Sequence, residues 1–325
     1  MATRIATKQQ TEVPAINEPA TRGVREDGTT AKANKSVMVV LAILAVYIIW
    51  GSTYFAIKVT LDSFPPFLMA GMRFVLAGGI LFGYMKLRGA PTPNLKQWGA
   101  SALVGCLLLA GGNGFITFAE QWVASGIAAL AVATMPLFAA LIAGLWGRWP
   151  RKMEWVGLLL GFTGVILLNL EGDMRANPIG AIALLVGAAS WALGSVWSRY
   201  LPLPGGMMAS ATEMLGGGAV LLVLGLVSGE RMTAFPAAGP TLAFFYLVVF
   251  GSIVAFSAYS YLLQKVRPTL STSYAYVNPV VAVALGVWLG GELITWAGLV
   301  AMPIILLGVG IVMLSKERKT GAVNS

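Results

Sequence analysis

Tyr274 and Asn278 stand four residues apart in the run YAYVNP, so on a helix they share one face, and Pro279 follows at once. A phenol and an amide so placed can hydrogen-bond a polar ligand, but they cannot by themselves break a bond. Trp50 and Tyr54 repeat the spacing and would suit an apolar or aromatic ligand, or else pack in an interfacial aromatic belt. Arg73 and Glu213 are the only charges placed well within apolar stretches. Histidine is absent and Cys106 is the single cysteine, which removes disulfides, thiol redox pairs and the common His/Cys zinc sites. There is no GxxxxGK[ST] loop for a nucleotide, and no cluster of carboxylates at depth for acid/base work. These residues point to recognition rather than catalysis, with no cofactor and no metal; an enzyme is not expected.

Each candidate carries a structural alternative. An amide at the middle of a membrane costs several kcal/mol without partners, so Asn278 either bonds across to a neighbouring helix or faces a ligand. Tyr276 lies about 200° round the helix from Tyr274 and is expected to pack elsewhere. Arg73 and Glu213 sit roughly 10 Å from opposite surfaces, so only extended side chains could pair; snorkelling, or bonds to carbonyls beside a cavity, is the stronger expectation. Glu213 could carry a coupling proton.

The elements that hold these residues follow from composition. The 325 residues are 57% apolar and 11% charged, with a mean hydropathy of +0.78, a balance that requires lipid as the solvent for most of the chain. Apolar segments fall at about 37–58, 66–86, 96–119, 125–146, 153–170, 178–200, 207–228, 240–264, 269–291 and 294–314. The fold expected is an all-α integral membrane protein of ten transmembrane helices. Residues 1–35 are polar, without apolar periodicity, and read as a disordered cytoplasmic tail that lacks the apolar core of a signal peptide; 317–325 form a second tail. An even number of spans puts both termini on one side. With that side inside, eighteen of the 22 Lys and Arg residues fall on inner loops and tails, three (Lys58, Arg175, Arg231) fall outside, and Arg73 remains within a span. The positive-inside rule then makes the termini cytoplasmic, and the net charge of +9 records topology rather than nucleic-acid binding. Asp62, Glu120, Glu171, Asp173, Glu230 and Glu292 gather on the outer side and read as solvated helix ends.

The two halves repeat. Ala133 to Pro136 superposes on Tyr276 to Pro279 at a shift of 276 − 133 = 143 residues, and Gly51-Ser52 falls on Gly194-Ser195 at the same shift. An odd number of spans per unit inverts the second copy, giving five-helix units at 36–171 and 177–316. Inverted repeats with a midplane site are the architecture of alternating-access transporters. Pro136 and Pro279 fall about halfway through their spans, as a symmetry-related pair of helix breaks. The GxxxG pairs Gly79/Gly83, Gly157/Gly161 and Gly286/Gly290 read as packing inside the bundle; a monomer is expected, with a dimer as the alternative.

The runs YIIWGSTYFAIKV, SFPPFLMAGMRF, GNGFITFAEQWVASGIAAL, ATMPLF and STSYAYVNPVVAV resemble the EamA-type drug/metabolite transporter superfamily, and within it the YedA-like group of bacterial inner-membrane exporters, over residues 37 to 315. The resemblance implies a central cavity lined mainly by the third, fourth, eighth and ninth helices, with help from the first and sixth. It implies export of amino acids or other small amphipathic metabolites, with protons as a candidate partner; an importer or ion-independent facilitator is the alternative. On those helices Trp50, Ser52, Tyr54, Asn113, Thr117, Thr134, Trp191, Ser195, Ser252, Tyr259, Tyr274 and Asn278 become the candidate substrate-binding residues.

Overall fold

The computed structural model describes residues 28–122, 132–168, 178–290 and 296–314. The tails outside these ranges, together with Glu171, Asp173, Arg175 and Glu292, lie outside the described residues. Contacts divide the chain into Met1–Val37 and Met38–Ser325, and the second unit holds the helix bundle. Every element of the bundle is helical among the described residues: α1 (Gly28–Leu61), α2 (Pro66–Leu87), α3 (Leu95–Ala119), α4 (Met135–Leu145), α5 (Lys152–Leu168), α6 (Pro178–Trp197), α7 (Met207–Val227), α8 (Ala238–Lys265), α9 (Tyr274–Gly290) and α10 (Trp296–Leu314). Helix α1 starts at Gly28, inside the stretch expected as a tail.

Among the described residues, five helices are long and apolar enough to cross a membrane: Val37–Leu61 of α1, α2, α3, α7 and α8, with α4 and parts of α6 and α10 as shorter apolar helices. Leu41, Leu44, Ile48 and Phe55 make an exposed apolar stripe along α1, Phe55 at 68% exposure, which only lipid would solvate at no cost.

Local chemistry sets the ends. Asn94 and Gln97 form a reciprocal capping box at 2.9 Å each way, which starts α3. Helix α2 begins at Pro66 after Pro65, which has no side chain to cap with. Its first free N–H groups, on Phe67 and Leu68, instead donate to the Glu230 carboxylate at 3.2 and 2.8 Å. Glu230 is therefore a cap placed from beyond α7, not a solvated end; a carboxylate there also meets the positive end of the helix dipole. Asp62 is exposed, as an end residue should be.

Both α3 and α8 loosen into π-helix midway, at Cys106–Gly114 and Leu247–Val254. The offset is 247 − 106 = 141 residues, and α2 and α7 start at the same offset, 207 − 66 = 141. Two of the pairs related by about this offset, α2 with α7 and α5 with α10, pack on one another. Gly71 and Gly78 of α2 lie against Leu222 and the backbone at Ala211 and Leu215 of α7, and Gly157 and Gly161 of α5 lie against Gly308 of α10. A Cβ on Gly157 would sit 2.7 Å from the Gly308 carbonyl oxygen, so this GxxxG pair does pack inside, whereas Gly79 and Gly83 face open space. The side chains around Gly286 and Gly290 lie outside the described residues.

The expected helix breaks differ from each other. Pro136 is the second residue of α4, in the first turn, where a missing N–H costs nothing. Pro279 lies inside α9, and the chain breaks earlier, at Thr272-Ser273, after the single helical turn Pro268–Ser271. That break is held by side chains: Thr272 Oγ1 donates to the Pro268 carbonyl at 2.8 Å, and Ser273 Oγ meets the Tyr47 hydroxyl of α1 at 2.7 Å. Pro279 therefore sits within a continuous helix, whereas the turn at Ala133-Thr134 immediately precedes Pro136, and residues 123–131 of that span lie outside the described residues.

Candidate functional site

A narrow cavity of about 50 Å³ lies within the helix bundle, lined from α1 by Trp50, Thr53, Tyr54 and Ile57, from α2 by Arg73 and Phe74, and from α3 by Leu109, Asn113 and Ile116. Val132 and Met135, Trp191 of α6, Gly251 and Phe256 of α8, and Tyr274 and Asn278 of α9 complete the wall. The i, i+4 spacing that pairs Trp50 with Tyr54 and Tyr274 with Asn278 turns each pair to this wall. Tyr276, two residues from Tyr274, points into a separate apolar cluster against Gly161.

One wall is aromatic. Trp50 packs edge-on to Trp191 and Tyr274 with ring centroids 5.4 and 4.7 Å apart, and Tyr259 lies 5.0 Å from Trp50 and 5.5 Å from Tyr274. Polar atoms at the ring edges lock this wall. Trp191 Nε1 donates to the Tyr259 hydroxyl at 3.0 Å, that hydroxyl meets Ser195 Oγ at 2.6 Å, and Trp50 Nε1 donates to the Gly251 carbonyl at 3.0 Å. Tyr259 and Ser195 thus stand behind the lining and fix it. Rings fixed this way offer apolar area at little entropic cost.

The same lining carries unsatisfied polarity. Arg73 is 2% exposed; its Nε donates to Ser252 Oγ at 2.7 Å, while Nη1 has no partner among the described residues. Asn113 Oδ1 and Asn278 Oδ1, also on the wall, have none either, although the Asn278 amide stands beside the Tyr54 hydroxyl. Each buried polar atom left unpaired costs about 1–3 kcal/mol, so these three leave the cavity able to hydrogen-bond a polar molecule.

Other candidates stand elsewhere. Ser52 bonds to the Tyr246 hydroxyl and the Ile49 carbonyl, both at 2.6 Å, and ties α1 to α8. Thr117 is wholly buried but off the lining. Thr134, half-buried, is the residue before α4, its carbonyl accepting from Leu137 and Phe138. Glu213 accepts from Ser260 Oγ at 3.2 Å between α7 and α8, away from the cavity, and no ion pair joins it to Arg73 among the described residues.

Glu120, expected as a solvated end, is a correction. Both its carboxylate oxygens are buried and without partner among the described residues, and Arg73, Lys58 and Tyr54 lie within its electrostatic reach. Asn113, Ile116 and Glu120 follow the i, i+3, i+7 face of α3, which carries Glu120 towards the cavity side.

The two ends of the bundle differ. Beyond Glu120 a cleft of about 650 Å³ opens between the α1–α2 connection, the end of α3 at Gln121 and Trp122, and the segment Ser228–Phe235 after α7. The other end is tied shut. Glu154, on the first turn of α5 and 4% exposed, pairs with Arg267 and accepts from Thr269 Oγ1 and the Arg151 N–H at 2.9 Å each. Arg199 donates to the Val266 carbonyl, and burial beside Arg148 brings its guanidinium down to about 10, still charged at neutral pH.

The model of the EamA-like transporter family matches this chain twice, over residues 37–170 and 178–314, at an offset of 178 − 37 = 141. The chain is 50% identical over 276 residues, 85% of its length and 90% of the relative's, to the inner membrane transporter YedA of Escherichia coli K12. It is 26% identical over 278 residues to the transporter YdfC of Bacillus subtilis, covering 84% of this chain and 88% of the relative. In fold it resembles a solved crystal structure with a TM-score of 0.71 at 22% identity, over 86% of this chain and 98% of the other.

Proposed function

The chain belongs to the EamA-like transporter family, and we propose that it is a secondary transporter which exports small amphipathic metabolites, amino acids or related compounds, across the cytoplasmic membrane. The name of its Escherichia coli relative supports the inner membrane as its location. In this reading the chain crosses ten times as two inverted five-helix units, both termini are cytoplasmic, and the end tied by Glu154 and Arg267 faces the cytoplasm. The bias of basic residues supports the orientation, and the packing of α2 on α7 and α5 on α10 supports the paired units. Twelve residues on the cavity helices are the proposed substrate-binding set; Trp50, Tyr54, Asn113, Trp191, Tyr274 and Asn278 would touch the substrate, and Tyr259, Ser195 and Ser252 would hold those that do.

The observation that carries the proposal is the pairing of an aromatic wall with unpartnered Arg73, Asn113 and Asn278 atoms in one buried cavity. Such a wall recognises a molecule with an apolar body and a polar end. At about 50 Å³ the cavity is far below the roughly 300–1,000 Å³ of ligand pockets, so a substrate requires the helices to separate, as alternating access demands.

The test is counterflow in proteoliposomes with candidate metabolites, with and without an imposed proton gradient. Substrate exchange that the gradient drives uphill supports export. Equilibration that ignores the gradient makes the protein a facilitator.

A further inference from the structure

We infer that the Arg73 guanidinium is an anion site for a carboxylate-bearing substrate, and that Glu120 is its resident counter-charge, so that a substrate carboxylate and a proton on Glu120 bind together. The inference rests on the proposal that the cavity is the substrate site.

The geometry supplies the pieces. Arg73 lines the cavity, held at Nε by Ser252, with Nη1 buried and unpartnered among the described residues. Its Cζ stands 4.7 Å from the centre of the Phe74 ring, so one face of the fork is covered and its edge is left for a ligand. Glu120, its carboxylate buried, lies one helical turn beyond Ile116 of the cavity and one residue before Gln121 of the cleft. Arg73 and Glu120 feel each other's charge, yet no ion pair closes between them among the described residues. Each is therefore left with free hydrogen-bonding atoms and an uncancelled charge.

Charge balance sets the coupling. The groups facing Glu120 are Lys58 and Tyr54 of α1 and Arg73 of α2. Lys58 pulls on Glu120 more strongly than Arg73 does, but it is exposed and its charge is screened by solvent, so the buried charges are one guanidinium and one carboxylate. A second carboxylate on Arg73 would leave a net negative charge in a low-dielectric space, which is costly. A proton from water in the cleft, forming an O–H bond on a Glu120 oxygen, restores neutrality, and it leaves again when the substrate does. Because the anion favours protonated Glu120, binding tightens as pH falls through the titration of Glu120 and levels off below it.

The experiment is calorimetric titration of the full chain in lipid nanodiscs with benzoate as the probe, an aromatic ring carrying one carboxylate, and benzyl alcohol as its uncharged match, between about pH 6 and pH 9. At the alkaline end Glu120→Gln should bind benzoate about tenfold more tightly than the unmodified chain, a gain that misfolding cannot mimic. The pH dependence should vanish in that variant. Arg73→Gln should lose benzoate and Arg73→Lys should weaken it, while benzyl alcohol binds all of them alike. Equal benzoate affinity in the unmodified chain and Glu120→Gln, no benzoate binding to Glu120→Gln, or benzoate binding that survives Arg73→Gln would each overturn the inference. None of these outcomes depends on transport, so failed counterflow with intact benzoate binding would sink the proposed function and spare the site.

Discussion

Asn278 carries the sharpest residue-scale question, because a midspan amide is either glue or ligand contact, and its oxygen lacks a partner among the described residues on the cavity wall. Its amide also stands beside the Tyr54 hydroxyl of α1, so the residue is placed to bridge two helices and still offer its oxygen to a ligand. Asn278→Ala should abolish counterflow while membrane insertion is unchanged and unfolding free energy stays within about 1 kcal/mol of the unmodified chain; a collapsed melting temperature would return the residue to a structural role. Tyr259 is the reverse case, since its hydroxyl binds Trp191 and Ser195 behind the wall. Tyr259→Phe should cost about 1–2 kcal/mol of stability and weaken substrate affinity by loosening Trp191, measured by thermal melting and by the counterflow half-saturation point. Helical spacing was enough to turn Trp50, Tyr54, Tyr274 and Asn278 to one wall. It could not separate Asn113 from Thr117, four residues on the same face, of which only Asn113 reaches the lining. Nor could it recognise Glu120, because an acidic residue just past an apolar run reads as solvated until its neighbours are known.

At the scale of elements, the apolar runs and their order were legible, since a bilayer leaves helices of fixed length almost no alternative. The irregularities were not. The π segments of α3 and α8 arise where Asn113, Gly251 and Ser252 are brought to the cavity, and nothing in propensity or periodicity marks a five-residue hydrogen-bond register. The break before α9 falls at Thr272-Ser273 rather than at Pro279, because hydroxyls there can replace the lost backbone bonds and the Tyr47 phenol adds another. Glycine spacing was likewise ambiguous: the same GxxxG marks a packed seam at Gly157/Gly161 and open space at Gly79/Gly83. Gly157→Leu should therefore lower thermal stability by about 1–3 kcal/mol through overpacking against α10, while Gly79→Leu should leave the melting temperature unchanged. Equal effects would mean that α5 and α10 do not meet as described.

For the molecule as a whole, the asymmetry between a tied end and a clefted end decides which motion comes next. Glu154, within the first family match, meets Arg267 and Thr269 within the second, and the offset of 141 carries Arg267 onto Gly126 in the sequence. Opening the cavity toward the basic end would pull α5 away from Arg267 and the turn Pro268–Ser271 and break these bonds. Their loss should then favour that opening. With Cys106 replaced by Ser and Met135, on the cavity wall, replaced by Cys, a membrane-impermeant maleimide offers a direct reading of access from each face of the vesicle. Glu154→Gln removes the ionic bond while keeping an acceptor for Thr269, and should raise labelling from the basic face by about tenfold for each 1.4 kcal/mol of latch energy lost. Arg267→Ala leaves the Glu154 carboxylate buried and unpaired, a change that costs about 3–5 kcal/mol, so it should open the basic face further and also lower the melting temperature. Labelling from that face unchanged in both variants would show that the tie between Glu154 and Arg267 is not what holds the basic end closed, and the gate would have to be sought at Arg199 and Val266 instead.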